Sequence, residues 1–154
     1  YYFEQMLIGA NVRLARMTHG RYSFRRKEMV SDARRQAGLD LDVMDQYTGR
    51  ARDVSTLSGG ESFKASLSLA LGLADVVTSE SGGVELSTIF IDEGFGTLDE
   101  ESLDDTVETL ISLQDSGRLV GVISHVAEHK ERIPAHLVVE SGSGGSQAHF
   151  EVRE

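Results

Sequence analysis

Cysteine is missing from all 154 residues. That excludes disulfides and cysteine-ligated zinc, and fits a cytoplasmic protein. No run of about 18 apolar residues occurs, so no segment is expected to cross a membrane as a helix. Tyr1 to Ala10 lack the basic stretch and apolar block of a signal peptide. The first residue is tyrosine rather than methionine, and the chain is expected to be a piece of something longer. No histidines stand at metal-ligand spacing, and no serine–histidine–aspartate set suggests itself. Above all, no Gly-Lys pair occurs. This removes the G-x-x-x-x-G-K-[ST] loop that cradles nucleotide phosphates.

What is present has the balance of a globular domain, with 40% hydrophobic and 26% charged residues. The net charge of −10 hides an asymmetry. Residues 1–52 carry ten Lys and Arg against six Asp and Glu, whereas residues 53–154 carry five against nineteen. The basic residues Arg13, Arg16, Arg21, Arg25, Arg26, Lys27, Arg34 and Arg35 read either as a solvated face or as a patch for nucleic-acid phosphates. The acidic remainder argues against nucleic-acid binding by this segment alone.

Phe3, Leu7, Ala10, Leu14 and Met17 form a heptad seam ending before Gly20, which suits either the end of a coiled coil or a simple amphipathic helix. Tyr22 and Phe24 alternate with polar residues, as do Leu39, Leu41 and Val43, and a turn at Thr48-Gly49 leads to a return strand. Ser58 to about Thr78 reads as a long helix whose apolar residues nearly encircle it, so burial is expected. "STIFID" and "RLVGVIS" read as strands covered on both faces. Between them lies a helix capped by Asp99, with Leu98 and Leu103 as a hydrophobic staple and Gly117 at its end. A short helix around Ala127–Arg132 stops near Pro134, and "HLVVE" and "AHFEV" pair across a loose loop, "SGSGGSQ". Strand–helix–strand in the middle implies a parallel α/β sheet, with antiparallel hairpins at both ends.

Three places could carry chemistry. In "LSGGE", Ser58 and Glu61 make a capping box. Gly59 and Gly60 exceed what capping needs, and would let backbone amides and the helix dipole approach an anion. In "TIFIDEGFGTLD", Asp92 and Glu93 would stand at the carboxyl edge of a parallel strand, where open α/β folds bind ligands. Asp92 suits a water-mediated magnesium ion and Glu93 the activation of a water. In "VISHV", His125 ends a strand, either as an edge residue or as a donor to a phosphate beside Glu93. His19, His129, His136 and His149 read as surface.

Taken together and in this order, these segments resemble the C-terminal half of an ABC-type ATPase head. They correspond to its signature motif (Ser58, Gly59, Gly60, Glu61), Walker B (Asp92, Glu93), D-loop (Leu98, Asp99) and switch histidine (His125). "TLSGGE" and "FIDEGFGTLD" are similar to the SMC-like exonuclease subunits of the SbcC type. The resemblance runs from about Ala10 to Val139. It implies a P-loop NTPase-like parallel sheet with flanking helices, from which the Walker A half is absent. Residues 1–19 would end a coiled-coil arm and residues 20–154 form the C-terminal lobe. The implied cofactors are ATP and Mg²⁺. The implied partners are the N-terminal Walker A half, a second identical head, an SbcD-like nuclease, and DNA through the whole complex. The implied setting is the cytoplasm, at the nucleoid, in double-strand-break repair. The signature residues would act in trans, on ATP held by the partner head, and the segment alone would be inactive.

Two other readings stay open. One is the head of a different SMC-like, chromosome-organising ATPase. The other is a non-catalytic interaction module with the ABC fold, against which the intact Asp92-Glu93 pair argues. A transport ATPase fits least, having no place for the heptad arm.

Overall fold

In a computed structural model, which describes residues 1–27, 41–80, 86–115, 117–124 and 132–153, the heptad spacing becomes a helix, α1 (Tyr2–Met17). Ala10, Leu14 and Met17 are buried along it, while Phe3 and Leu7 are half-buried. Strands β1 (Tyr22–Arg26), β2 (Leu41–Asp45) and β3 (Arg50–Asp53) follow and pair antiparallel in that order. Tyr22, Phe24 and Val43 turn inward, as alternation demands. Gly49 adopts φ 65° at the foreseen turn. Asn11 clamps α1 to the edge of β1: its Oδ1 accepts from Phe24 N at 2.6 Å and its Nδ2 donates to Phe24 O at 3.2 Å.

The long helix α2 (Gly59–Glu80) is shared by two cores. On one flank, Ala65 joins Ala10, Leu14, Tyr22, Phe24 and Val43 under the antiparallel sheet. On the other, Leu67 and Leu71 join Met17, Phe95, Leu103, Val107, Leu110 and Leu113. This second core lies against β4 (Thr88–Asp92), α3 (Glu100–Asp115) and β5 (Leu119–Ile123). β4 and β5 pair parallel, with Ile89, Ile91, Val120 and Val122 packed on the core. α3 begins and ends as its sequence signals: Asp99 Oδ1 accepts from Ser102 N at 2.8 Å, and Gly117 sits at φ 89°. β6 (Ala135–Gly142) and β7 (Gly145–Val152) form the closing hairpin.

Four expectations need correction. α2 is not buried all round: Leu73 is 51% and Val77 40% exposed. β4 and β5 are covered on one face only, since Phe90, Leu119 and Ile123 are 70%, 63% and 54% exposed. An apolar run shows that both faces suit burial; it does not say that the covering layer is among the described residues. The "SGSGGSQ" loop is mostly strand, because Gly142 and Gly145 pair and leave only Ser143-Gly144 as a turn. His136, expected at the surface, is half-buried, and its Nε2 has no hydrogen-bond partner among the described residues. Leu39, His129 and all of the Ala127–Arg132 helix except Arg132 lie outside the described residues. Among the described residues, no helix is long and apolar enough to cross a membrane.

α1 and α2 approach closely at Gly72. A Cβ there would run into the Met6 carbonyl and lie 2.9 Å from Ala10 N. Gly9 faces it but would meet only ordinary contacts, from 3.4 Å outward. Arg13 and Arg118 both hold Asp75 on α2, at 2.7 and 2.9 Å. Gly72→Ala is therefore expected to destabilise by about 1–3 kcal/mol through overpacking against backbone, despite better helix propensity. Gly9→Ala is expected to be neutral or stabilising by up to about 1 kcal/mol. Urea unfolding of the two variants in parallel distinguishes these outcomes.

Candidate functional site

The "LSGGE" segment folds by mutual capping. Glu61 N donates to Ser58 Oγ at 3.3 Å, and Ser58 N donates to Glu61 Oε2 at 2.9 Å. The amides of Gly59 and Gly60 belong to the first helical turn, where no carbonyl partner is supplied by the helix. Gly60 has a packing reason as well as a conformational one. A Cβ there would stand 3.0 Å from Thr97 O and 3.4 Å from Leu98 Cδ2. The start of α2 and the Thr97-Leu98-Asp99 turn thus touch through backbone.

Both segments line a cleft of about 600 Å³. Its walls include Ser58, Gly59, Gly60, Leu98, Asp99 and Arg21. Asp99 also caps α3, and that hydrogen bond from Ser102 N holds its carboxyl below the usual aspartate range. Lys64 forms part of the wall and is only 9% exposed. Its amine donates to Met17 O at 3.1 Å and to Ser102 Oγ at 2.8 Å. His19 Nε2 lies 2.9 Å from Asp105 on another wall.

Glu61 is bound from several sides. Its Oε1 accepts from Tyr22 Oη at 2.6 Å and its Oε2 from Arg52 Nη2 at 3.0 Å. Burial pushes its carboxyl up, but the hydrogen bonds from Tyr22 and Ser58 and the charge of Arg52 outweigh this and leave it lowered. Burial and the Glu61 carboxylate together push the Tyr22 hydroxyl up to about 12, so it remains a donor at neutral pH.

Asp92 ends β4 and Glu93 follows it, both exposed, at the carboxyl edge of the parallel pair. Glu93 N extends the ladder to Ile123 O at 3.0 Å. Glu93 sits at φ 62° and Gly94 at φ 99°, two left-handed residues in succession. At a non-glycine residue this conformation is held by its surroundings. Here Gly94 lies against the Phe63 ring, where a Cβ has no room. Phe63 in turn packs edge-on to Phe95, with centroids 4.9 Å apart.

Neither Asp92 nor Glu93 lines the cleft at the start of α2. The expected site residues therefore fall into two places: Ser58, Gly59, Gly60, Glu61, Leu98 and Asp99 around the cleft, and Asp92 with Glu93 on the sheet rim. His125 lies outside the described residues. Among the described residues, no cluster of three histidine or carboxylate groups could hold a metal. One exposed aspartate suits the water-mediated hold that Mg²⁺ accepts when phosphates supply other ligands.

Much of the basic stretch is spoken for. Arg21 pairs with Asp45, Lys27 with Asp53 and Asp42, Arg13 with Asp75, and Arg16 donates to Ser112. These contacts suit a solvated face, and Arg34 and Arg35 lie outside the described residues. Sequence reasoning passed over Tyr22, Arg52 and Lys64. Only Lys64 left a trace, as a charge in the apolar run of α2 between Phe63 and Ala65.

A family model for the SbcC/RAD50-like Walker B motif matches residues 28–112. The SbcC component of the SbcCD nuclease from Staphylococcus haemolyticus is 50% identical over 150 residues, covering 97% of this chain and 15% of that protein. The same component from Staphylococcus aureus is 49% identical over 150 residues, with the same coverage. The chain thus spans about 15% of the length of these relatives. A structure from work on ATP-driven dimerization and DNA-stimulated activation of SMC ATPases superposes with a TM-score of 0.75 at 15% identity, covering 97% of this chain and 84% of that one. The Smc head domain of Pyrococcus furiosus, with an extended coiled coil and bound to the C-terminal domain of ScpA, gives 0.70 at 15% identity, over 97% of this chain and 35% of that one. At that identity the likeness is one of fold, and the fold is that of SMC-type ATPase heads.

Below the usual glutamate value of about 4.3, the stability that Glu61 gains from its lowered carboxyl fades as pH falls, and it is gone once pH passes the folded-state value. Glu61→Gln is expected to be less stable than wild type at pH 7, with the gap closing on acidification. The difference in urea midpoint across a pH series measures it.

Proposed function

Because the chain belongs to the SbcC/RAD50-like family, we propose that it is the C-terminal part of an ATPase head whose cleft at the start of α2 receives the γ-phosphate of ATP held by a second head. The observation that carries this reading is the separation of the two places. Ser58, Gly59 and Gly60 present a hydroxyl and helix-terminal amides to one cleft, and Asp92 and Glu93 stand outside it. Two separate places suit a protein in which one protomer's Ser58 meets the nucleotide held by another. Leu98, close against Gly60, and Asp99 beside it would carry the pairing signal between the two heads.

On the rim, Asp92 would help hold Mg²⁺ through water. Glu93, set in its left-handed turn, would orient and deprotonate the attacking water. His125 is proposed as a donor to the γ-phosphate. The bare face of β4 and β5 (Phe90, Leu119, Ile123) and the apolar face of the hairpin (Leu137, Val139, Phe150, Val152) suit the N-terminal Walker A half of the same protein. Residues 1–19 would end the returning coiled-coil arm, in which exposed Ile8 and Val12 would face the outgoing helix. In the whole protein the head would work with an SbcD-like nuclease on DNA breaks at the nucleoid. The 50% identity to the SbcC component of SbcCD favours this over a chromosome-organising SMC head.

In the full-length protein, Ser58→Arg is expected to bind ATP normally and to abolish ATP-dependent head pairing, since the arginine fills the space that Gly59 and Gly60 keep open. A role in capping alone would cost about 1 kcal/mol and leave pairing intact. Sedimentation with and without ATP, alongside direct nucleotide binding, decides. Glu93→Gln is expected to keep ATP binding and pairing but to slow hydrolysis by about 10²–10⁴-fold; near-wild-type turnover would remove Glu93 from its role.

A further inference from the structure

Glu61 is a carboxylate at the start of a helix proposed to receive an anion, where negative charge would repel the ligand. Three of its roughly four acceptor positions are filled within the chain: by Tyr22 Oη at 2.6 Å, Arg52 Nη2 at 3.0 Å and Ser58 N at 2.9 Å. Arg52 Nη2 also donates to Tyr22 Oη at 3.2 Å, and its guanidinium lies 5.2 Å from the Tyr22 ring centre. Arg21 covers the same ring at 4.8 Å. Tyr22 itself is 3% exposed.

The placement of this network matters as much as its bonds. Arg52 stands on β3 and Glu61 in the first turn of α2, and the segment between them carries Ser58. Their ion pair therefore closes that segment at its base. Within it, Asp53 Oδ1 accepts from Ser55 N at 2.9 Å and from Ser55 Oγ at 2.7 Å, while Thr56 Oγ1 donates to Asp53 O at 2.7 Å. The far end of the network is Tyr22 on β1, distant in sequence and fixed in the core under the antiparallel sheet.

We propose that Glu61 contacts no nucleotide and that Tyr22, Arg52 and Glu61 form a positioning unit, which holds the Ser58 backbone and hydroxyl at the angle the partner's γ-phosphate requires. This rests on the reading of Ser58 given above. The antiparallel sheet is thereby part of the ATP-dependent interface without touching ATP. Removing the Tyr22 hydroxyl leaves its ring in the core and frees one Glu61 oxygen to swing, carrying Ser58 with it.

The test uses the full-length protein with ATP and magnesium, in Tyr22→Phe, Arg52→Lys and Glu61→Gln forms, with Ser58→Arg as control. Three quantities are read: ATP affinity of unpaired heads, ATP-dependent pairing, and melting temperature. Tyr22→Phe is expected to pair about tenfold more weakly, the loss of one hydrogen bond to a charged group, with ATP affinity unchanged. Arg52→Lys, which keeps the charge but removes the planar guanidinium over the Tyr22 ring and the Nη2 that donates to both Tyr22 and Glu61, is expected to weaken pairing in the same direction. Adding Tyr22→Phe to Glu61→Gln is expected to cost no more than Glu61→Gln alone, because the residues act as one unit. If Ser58→Arg abolishes pairing while Tyr22→Phe and Arg52→Lys pair as wild type, the positioning unit is refuted and the reading of Ser58 stands. If Ser58→Arg pairs normally, both fall. If Tyr22→Phe lowers melting temperature, ATP affinity and pairing in step, the hydroxyl is a fold contact only and the proposal is overturned.

Discussion

Two helix backbones touch where residue 72 has no side chain, and both cores are built outward from that contact. With α1 pressed against α2 at Gly72, Ala10 and Leu14 reach the antiparallel sheet while Met17 reaches the side of α3. α2 is consequently fixed along its length by layers on two flanks. Its first turn has no freedom to tilt independently of either. A helix held in this way is a firm base for a short segment such as Ser58 to Glu61, whose proposed role depends on where a few amides point.

The same economy of space recurs at the start of α2. Gly60 admits the Thr97 carbonyl, Gly94 admits the Phe63 ring, and Lys64 threads between the end of α1 and the first turn of α3. Elements far apart in sequence are thus joined by backbone approach and by one buried amine. Charge is handled locally. Asp105 is paired with His19, Glu61 with Arg52, and Asp99 is bound by an amide, which leaves the helix terminus free to favour an anion.

Most elements were legible from local pattern. The alternation of Tyr22 and Phe24, the cap and staple of α3, and the turn at Thr48-Gly49 are set by neighbours within a few residues, so periodicity and turn chemistry suffice to find them. The "LSGGE" and "DEGFGTLD" segments were likewise readable as candidate sites, through resemblance as well as through the physics of helix termini and strand edges. What escaped notice is long-range. That Glu61 is bound by Tyr22 and Arg52 follows from the register of β1 against β2 and of β2 against β3, which no single segment encodes. The extent of burial escaped for a related reason. The apolar runs of α2, β4 and β5 state what each surface prefers, and a preference is not a neighbour.

Phe90, lying across Gly121 on the uncovered side of β4 and β5, has a consequence for handling and for the cell. An apolar sheet face of this kind is what chaperones hold and proteases sample, and it promotes aggregation as concentration rises. Produced by itself, this segment has the outward features of a protein caught before folding is complete, even with both of its cores formed. Quality control would meet such a face as unfinished however well the cores beneath it are packed.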